Sequence, residues 1–232
     1  MNTSASDLLE ICSFCAEIDG RAKHNFFAAF GISASPRDYI LASTQNFVVM
    51  PCAGALTDWY VLIVPRSHVL STGFLDADER QELRGVRKAV TDWLVRVSGS
   101  CEVIFFEHGS YSFRDKGGAC YDHAHVHAVA TRRSAESFIE YVANTVTLRP
   151  VADWIDAAAY WVSENRRSYL SVSSSSDNWI GNSEGAPGQF FRRALHEWLD
   201  GAAGEWDFAL FPQEDRAREM IRAAQRMPIL LD

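Results

Sequence analysis

The sequence predicts an α+β protein, in which an antiparallel sheet of about five strands carries a long helix and a mostly helical C-terminal extension follows. Three observations lead to this fold class. Short segments rich in Val, Ile, Phe and Tyr alternate with turns in the first part of the chain, and one long segment repeats its apolar residues at helical spacing. The 232 residues are 47% apolar or aromatic, and a chain of this size buries enough surface to build a full core.

Five segments have the composition of strands. Three occur early, Tyr39–Leu41, Asn46–Met50 and Trp59–Val64, and turn-forming residues separate them, as is typical of antiparallel strands. Two more, Cys101–Phe106 and His123–Ala130, flank a polar loop that contains several glycines. These five segments predict the sheet.

The segment between the third and fourth strands predicts the long helix. From Asp76 to Val97, charged residues alternate with apolar residues that recur every three or four positions. The apolar positions are Leu83, Val86, Val90, Trp93, Leu94 and Val97. Because these side chains share one face, we expect that face to pack on the sheet.

The pattern changes after Thr131. Helices are predicted at Ser134–Ala143, Val151–Trp161, Gln189–Leu199 and Glu214–Gln225, with a hairpin formed by Tyr169–Val172 and Asp177–Ile180. We therefore predict a catalytic α+β domain over residues 1–145 and a C-terminal extension over residues 146–232 that packs on it.

Composition limits the classes of function. The net charge is −8, from 22 Lys and Arg against 30 Asp and Glu, and a negative chain does not attract polyanions, which argues against nucleic acid as a partner. The sequence contains no run of about 18 apolar residues that could cross a membrane. Its first residues lack the basic start and the apolar stretch of a leader. Five cysteines, an odd number, argue against a disulfide framework. A cytoplasmic protein with a small phosphorylated ligand is the expectation.

Three histidines at alternate positions are the most informative motif. Side chains on a strand alternate between its faces, so His123, His125 and His127 share one face, about 7 Å apart, while the small apolar residues between them face the other way. One alternative is a surface strand that carries histidines by chance. Another is a metal-dependent hydrolase in which the three imidazoles are the ligands of a catalytic metal.

A second motif is the pair Cys12-x-x-Cys15. Two-residue spacing lets both thiolates reach one tetrahedral Zn²⁺. A redox dithiol or two buried, unmetallated cysteines would have the same spacing, so these readings stay open beside the metal site.

Several motifs, in order along residues 12–130, resemble the histidine triad (HIT) superfamily of nucleotide hydrolases and transferases. They are Cys12-Ser13-Phe14-Cys15, Val61-Leu62-Ile63-Val64-Pro65-Arg66-Ser67-His68, Glu107-His108-Gly109, Gly118-Ala119-Cys120-Tyr121-Asp122 and the histidine row itself. On this resemblance we identify the chain as a member of the zinc-containing bacterial type, with a histidine triad-like fold. The segments Gly188–Arg193 and Glu205–Asp207 look like the tail of larger bacterial and splicing-factor-associated members.

The resemblance implies the chemistry and the ligands. His125 corresponds to the nucleophile that attacks the α-phosphate of a nucleoside-phosphate conjugate, and His127 to the residue that contacts phosphate and protonates the leaving group. His68 and His123 correspond to the histidines that complete a structural Zn²⁺ site with Cys12 and Cys15. Small relatives are often dimers; here the extension could cover the same edge, so we expect a monomer or a homodimer.

The resemblance also implies where the substrate is held, and where this chain differs. Ala119 and Cys120 occupy positions that often carry a glutamine and a serine that touch phosphate, and Cys52 aligns with an acidic residue that often grips the ribose. His108 is expected either to line the pocket or to cap a turn. The substrate-binding candidates are therefore Ala119, Cys120, Cys52 and His108, in a pocket expected to be rewired.

Further side chains are weighed on their residue types alone. Arg192 or Arg193 would either reach over the active site or form the basic edge of an amphipathic helix. Phe47, Trp59 and Tyr60 would either stack on a nucleobase or belong to the core. The rival to an enzyme is a nucleotide-binding interaction module with little catalysis, in which the extension is the partner surface.

Overall fold

An antiparallel sheet of eight strands runs through the part of the chain that the structure describes. The structure is a computed structural model, and it describes residues 11–99, 102–119, 121–201 and 204–231. Cys120, a predicted substrate-binding residue, and Cys101, where a strand was predicted to begin, lie outside the described residues. No helix within those ranges is long and apolar enough to cross a membrane.

The first half of the chain forms three short helices, four of the strands and the long helix, which precedes the fourth strand. In order these are α1 (Ser13–Asp19), α2 (Phe26–Ala29), α3 (Pro36–Tyr39), β1 (Ala42–Ser43), β2 (Phe47–Pro51), β3 (Tyr60–Pro65), a 3₁₀ turn (Thr72–Phe74), α4 (Ala77–Ser98) and β4 (Glu102–Gly109).

The second half adds the remaining strands and helices. In order these are β5 (Val126–Thr131), α5 (Ala135–Ala143), β6 (Leu148–Pro150), α6 (Trp154–Tyr160) with a π-helical continuation (Trp161–Asn165), β7 (Tyr169–Ser173), β8 (Asn178–Asn182), α7 (Phe190–Trp198) and α8 (Glu214–Arg226). The strand order across the sheet is β1-β2-β3-β5-β4-β7-β8-β6.

The prediction of about five strands is wrong, because the C-terminal extension contributes three strands to the same sheet. The predicted hairpin exists as β7 and β8, and β7 pairs with β4, with Phe105 opposite Ser173 and Gly109 opposite Tyr169. β4 would otherwise end the sheet with unpaired backbone groups, and the hairpin satisfies them. β6, which sequence did not indicate, ends at Pro150 on the outer edge of the sheet, where a missing N–H is tolerated.

Two of the predicted strands begin later than expected. Tyr39, the first residue of the first predicted strand, ends α3, and β1 begins at Ala42. β5 begins at Val126 rather than at His123, so two of the three histidines precede the strand. The side chains of His123 and His125 nonetheless lie on the same side of the chain, since the ring of Phe14 lies 5.6 Å from that of His123 and 5.0 Å from that of His125.

The long helix α4 forms as its spacing predicts and covers one face of the sheet. Its start is a capping box, in which Asp76 accepts the N–H of Glu79 and Glu79 accepts the N–H of Asp76. Gly99, in the left-handed conformation, ends it. Leu83, Val90 and Trp93 are fully buried against this face. The other face packs against α5 and α7 and carries the candidate site.

Candidate functional site

Four side chains from three separated segments form a group that could hold a metal ion. Cys12 and Cys15 come from the start of α1, His68 from the segment after β3, and His123 from the segment before β5. One ligand atom from each residue lies within 4.8 Å of the others, and within the described ranges these four residues are the one such group. The prediction that they lie together is confirmed.

The hydrogen bonds of this group leave its ligand atoms facing one another. The Cys15 Sγ lies 3.3 Å from Nδ1 of His68 and 3.5 Å from Nδ1 of His123, and the Cys12 Sγ lies 3.4 Å from the same His123 nitrogen. His123 donates Nε2–H to the carbonyl of Pro65 at 2.8 Å. A backbone carbonyl only accepts, so this bond places the proton on Nε2 and leaves the Nδ1 lone pair toward the thiols.

The contact between the two thiols shifts their pKa values in opposite directions. The bond from Cys15, with help from His123, lowers the pKa of Cys12 to about 2, although burial opposes the shift. The same bond raises the pKa of Cys15. Two thiols with two imidazoles are the donor set that Zn²⁺ prefers. The residues fit such an ion by their chemistry.

His125 lies next to this group but in a different environment. Its Nδ1–H donates to the carbonyl of His123 at 2.8 Å, so its Nε2 keeps a free lone pair. The side chain is 6% exposed, and burial lowers its pKa to about 4, with the bond to His123 opposing the shift. At neutral pH His125 is therefore a neutral imidazole whose tautomer is set by the backbone.

His127, two residues further on, stacks on Phe106 and bonds to Tyr60. The rings of His127 and Phe106 are 4.5 Å apart and nearly parallel, and the His127 ring lies 4.9 Å from that of His125. The Tyr60 hydroxyl lies 2.7 Å from Nδ1 of His127. Burial holds the pKa of Tyr60 well above 10 and that of His127 well below its usual range. Because the Tyr60 hydroxyl keeps its proton and donates a hydrogen bond to Nδ1, the single proton of His127 lies on Nε2.

The C-terminal extension adds a buried cation to these histidines. Arg192 on α7 is 3% exposed, and its Nη2 donates to the carbonyls of Gly54 at 2.6 Å and Trp206 at 2.9 Å. Its Nη1 lies 3.5 Å from the Cys52 Sγ. Of the two arginines weighed from sequence, Arg192 thus reaches the site, while Arg193 lies over the ring of Trp206, 4.0 Å from its centroid.

One cavity joins the reactive side chains to an apolar region. Its lining consists of Ser13, Phe14, Glu17, Phe26, Phe27, Met50, Pro51, Cys52, Ala53, Leu62, Tyr121, His125, His127, Arg192 and Phe208. The cavity is narrow, about 40 Å³. An aromatic and aliphatic lining with a few converging polar groups is typical of a small-molecule site.

Glu17 in this lining is a residue that sequence reasoning missed. It is 3% exposed, and its Oε1 accepts the N–H of Phe26 at 3.2 Å. Burial raises its pKa to about 8, although the bond from Phe26 opposes the shift. A signal existed: Glu17 lies three residues after Phe14 on α1, so it shares a helix face with an aromatic core residue.

Of the other predicted substrate-binding residues that the structure describes, Cys52 belongs to the lining of this cavity, whereas His108 and Ala119 do not. Cys52 is 3% exposed. His108 accepts the N–H of Phe191 through Nε2 at 3.2 Å, which joins β4 to the first turn of α7, and burial lowers its pKa to about 3. Ala119 is half-buried, and its N–H donates to the carbonyl of Lys116 at 2.9 Å.

The aromatic residues weighed from sequence divide between core and site. Phe47 and Tyr60 are both fully buried, on opposite faces of the sheet. Tyr60 reaches the site through its hydroxyl and not as a stacking platform. Trp59 is half-buried at the edge of the core formed with α4.

Comparison with known proteins corrects the family. A family model described as "protein similar to CwfJ C-terminal" matches residues 2–142. No curated protein matches the chain. The identification with the histidine triad superfamily is therefore wrong, because it rests on short motifs, whereas the family model that matches extends over most of the first 142 residues and is a different one. The match covers more than half of the 232 residues, and the chain belongs to the family of proteins similar to the CwfJ C-terminal region.

Proposed function

We propose that the protein is an enzyme that cleaves a nucleoside-phosphate conjugate at the α-phosphate, with His125 as the nucleophile. The observation that carries this proposal is the 2.8 Å bond from Nδ1–H of His125 to the carbonyl of His123. That bond leaves an unprotonated Nε2 on a residue that lines the cavity. A neutral imidazole held in one tautomer is a suitable nucleophile for phosphorus at neutral pH.

The reaction proceeds in two displacements. Nε2 of His125 attacks the α-phosphorus, the N–P bond forms, and the P–O bond to the leaving group breaks. The Nε2–H of neutral His127 donates a hydrogen bond to the departing oxygen, which leaves as an anion. The oxygen of a water molecule then attacks phosphorus and passes its proton to solvent, the N–P bond breaks, and a nucleoside monophosphate is released with His125 neutral again.

Arg192 supports the same chemistry through its charge. The phosphoryl oxygens carry negative charge throughout the transfer, and a fixed guanidinium beside them stabilises it without reorganisation. Arg192 lines the cavity together with both histidines. The aromatic part of the lining, including Phe14 and Phe26, is suited to a base, which favours a nucleotide over a simple phosphate ester.

We further propose that Cys12, Cys15, His68 and His123 hold Zn²⁺. Four protein ligands fill a tetrahedral shell, so the ion would be structural and not catalytic. Its role would be to fix α1 and the segment before β5 to each other. Since the carbonyl of His123 orients His125, this arrangement positions the nucleophile.

The remaining expectations follow from this proposal. The partner is a small-molecule nucleotide conjugate, and the protein acts as a monomer or homodimer. We propose a cytoplasmic location, because Cys12, Cys15 and Cys52 form no disulfide and reduced cysteines persist in reducing compartments.

Trapping the covalent intermediate tests the reaction. The protein is mixed with an adenylylated conjugate, quenched in base, where a phosphoramidate survives, and digested for mass analysis. An adenylylated peptide that contains residues 123–127 is expected from the wild type and not from His125→Ala.

Two results would contradict the proposal. Binding without any labelled peptide would favour the interaction module. Turnover that a chelator abolishes and Mn²⁺ or Zn²⁺ restores, again without a labelled peptide, would favour a metal-dependent hydrolase. In the described residues only His123 of the three histidines belongs to a group that could hold a metal, which favours the nucleophile.

A further inference from the structure

The cavity beside the histidines is closed in this structure. Its volume is about 40 Å³, which holds a few water molecules, whereas sites for small organic ligands measure about 300 Å³ or more. His125 and His127 are 6% and 5% exposed. A nucleotide therefore reaches these side chains only after part of the cavity wall has moved.

The part of the wall with the least support is residues 206–212, between α7 and α8. This segment forms turns without a helix or strand, and none of its side chains is buried. Its one residue in the cavity lining is Phe208, whose ring lies 5.9 Å from that of Phe26 and 5.6 Å from that of Tyr121. A segment with so little buried surface belongs to the least stable part of a fold.

Two backbone carbonyls fasten this segment to the rest of the protein. The carbonyl of Trp206 accepts hydrogen bonds from Arg192, at 2.9 Å from Nη2 and 3.2 Å from Nε. The carbonyl of Pro212 accepts the N–H of Gly54 at 2.6 Å. Gly54 has a φ of 69°, and a Cβ there would lie 2.3 Å from that of Phe208. Because only glycine leaves this space free, the segment can lie directly on the cavity.

Residues in the left-handed conformation lie on both sides of the segment. Gly204 has a φ of 90°, and Gln213, the residue before α8, has a φ of 51°. A few such positions beside a moving segment can absorb the backbone change of a hinge. The start of α8 is held separately, because Arg216 donates to the carbonyl of Ala55 at 2.7 Å and forms an ion pair with Asp58. The segment can therefore move while α8 stays in place.

Arg192 connects the position of this segment to the proposed chemistry. The guanidinium group binds phosphate through two parallel hydrogen bonds to charged oxygens, which the single neutral carbonyl of Trp206 does not offer. A ligand shifts a conformational equilibrium through its different affinities for the two states. Since the closed cavity has no room for a nucleotide, a phosphate that reaches Arg192 favours the open state.

We propose that this segment, residues 206–212, is a lid over the proposed active site: it opens to admit the substrate, and Arg192 then exchanges the Trp206 carbonyl for a phosphoryl oxygen. Opening carries the ring of Phe208 out of the cavity and breaks the hydrogen bond of the Gly54 N–H. The inference rests on the proposed function for the identity of the ligand, whereas the closed cavity and the attachments of the lid do not depend on it.

Hydrogen exchange of the full chain tests the opening. The Gly54 N–H is bonded to the lid, whereas the Cys52 N–H, two residues earlier, donates to the carbonyl of Tyr60 at 3.1 Å. NMR measures both amides in one sample without ligand. Because the lid opens while the sheet stays folded, the protection factor of Gly54 should be at least about tenfold lower than that of Cys52. Equal protection of the two amides would overturn the proposal.

Substitutions assign the opening to the lid. Phe208→Ala should lower the protection factor of Gly54 by a further factor of about ten, because two aromatic contacts that hold the lid shut are lost. The protection factor of Cys52 should stay within twofold, which shows that the variant is folded. Leu210→Ala, in the same segment but 72% exposed, is the matched control and should change neither amide. Unchanged protection of Gly54 in Phe208→Ala would mean that its own loop opens without the lid.

Nucleotide binding tests the exchange of partners at Arg192. Calorimetry with AMP, GMP, CMP and UMP finds a monophosphate that binds, and hydrogen exchange is repeated at its saturating concentration. The protection factor of Gly54 should fall by at least about threefold, because the bound phosphate keeps the lid open. Binding with unchanged or raised protection of Gly54 would contradict the lid. No binding by any of the four nucleotides would remove the proposed function and the exchange at Arg192, while exchange in the free protein still decides whether the lid opens, so the two failures are distinguishable.

Discussion

Two neighbouring regions on the same stretch of chain have opposite environments. His123 contacts two thiols and a second imidazole, and every ring nitrogen in that group faces a polar partner or a metal-ligand atom, apart from Nε2 of His68. His125 and His127, two and four residues later, are buried among aromatic rings beside Arg192. The alternation of the chain alone does not distinguish these histidines. Their neighbours, which come from α1, β3 and α7, do.

The difference shows how one segment serves two purposes. In the first region the donor set suits an ion, and the ion would hold the backbone. In the second, burial keeps the imidazoles neutral, and the backbone carbonyl of His123 sets the tautomer of His125. The carbonyl of His123 is therefore the physical link between the two regions. Substitutions in one region can show whether the other depends on it.

The largest expected effect is on catalysis in the second region. His125→Ala should lower kcat by about 10⁴-fold or more, since the nucleophile is removed, whereas His127→Ala should lower kcat by about 10²-fold to 10³-fold, since the hydrogen bond to the departing oxygen is lost. Steady-state turnover of a nucleotide conjugate measures both. His24→Asn, at an exposed position in the left-handed conformation, is the control, and equal losses in all three variants would contradict the assignment.

Removing a ligand from the first region should act on stability. Cys15→Ser should reduce bound zinc to well under one equivalent and lower the free energy of unfolding by about 3 kcal/mol or more, because metal binding is coupled to folding. Elemental analysis and urea unfolding measure the two quantities. Cys52→Ser, a buried thiol outside the group, should keep its zinc. Full zinc content in Cys15→Ser would show that these four residues do not form the site.

Arg192 tests the contribution of the extension. Arg192→Met should lower kcat/KM by about 10²-fold, because it removes the charge beside the phosphate and the bonds to Gly54 and Trp206. Arg192→Lys keeps the charge without the forked donors, so its kcat/KM should lie between that of the wild type and that of Arg192→Met. Arg193→Met, whose guanidinium lies over Trp206, should change kcat/KM less than threefold. Equal losses for both arginines would mean that the extension acts only through its packing.

The smallest effect is a pH dependence of stability from the buried histidines. The pKa of His108 is about 3 in the folded protein and about 6.5 in an unfolded chain. Between these values the unfolded state binds more protons, so the contribution is complete above pH 6.5 and is lost as the pH falls toward 3, by about 1 kcal/mol per pH unit.

A neutral replacement isolates this contribution. His108→Gln keeps an acceptor for the N–H of Phe191 but does not titrate, so its unfolding free energy should fall less between pH 7 and pH 5. Urea unfolding at both pH values, with His24→Asn as the control, measures the difference. An unchanged slope in His108→Gln would show that the pKa of His108 is the same in the folded and unfolded states.

Local patterns predicted the elements that depend on local periodicity. The helix α4, the strands β2 and β3, and the β7–β8 hairpin lie where spacing and composition indicate, because those features are properties of consecutive residues. The pairing of the hairpin with β4 was missed, since the choice of partner strand depends on residues far apart in the chain. The start of β5 at Val126 was missed for a related reason: Ala124 donates its N–H to Val69 in a loop, not to a neighbouring strand.

The candidate site divides in the same way. Cys12 and Cys15 are two residues apart, so their spacing alone indicated a shared ligand, and the alternation of His123, His125 and His127 indicated a shared face. The roles of Glu17 and Arg192 depend on burial and on segments that meet only after folding. The family was misassigned from short motifs and is established by the match over residues 2–142.

An α+β fold, a face with three histidines and a pair of thiols suited to a metal can all be inferred from the amino-acid sequence, because each follows from spacing along one strand or helix. Which histidine joins the thiols, and which ones enter the apolar cavity with Arg192 and Glu17, becomes known only once the chain has folded. Burial and hydrogen bonding set the protonation and tautomer of each imidazole, and both come from segments up to about 110 residues away in the chain.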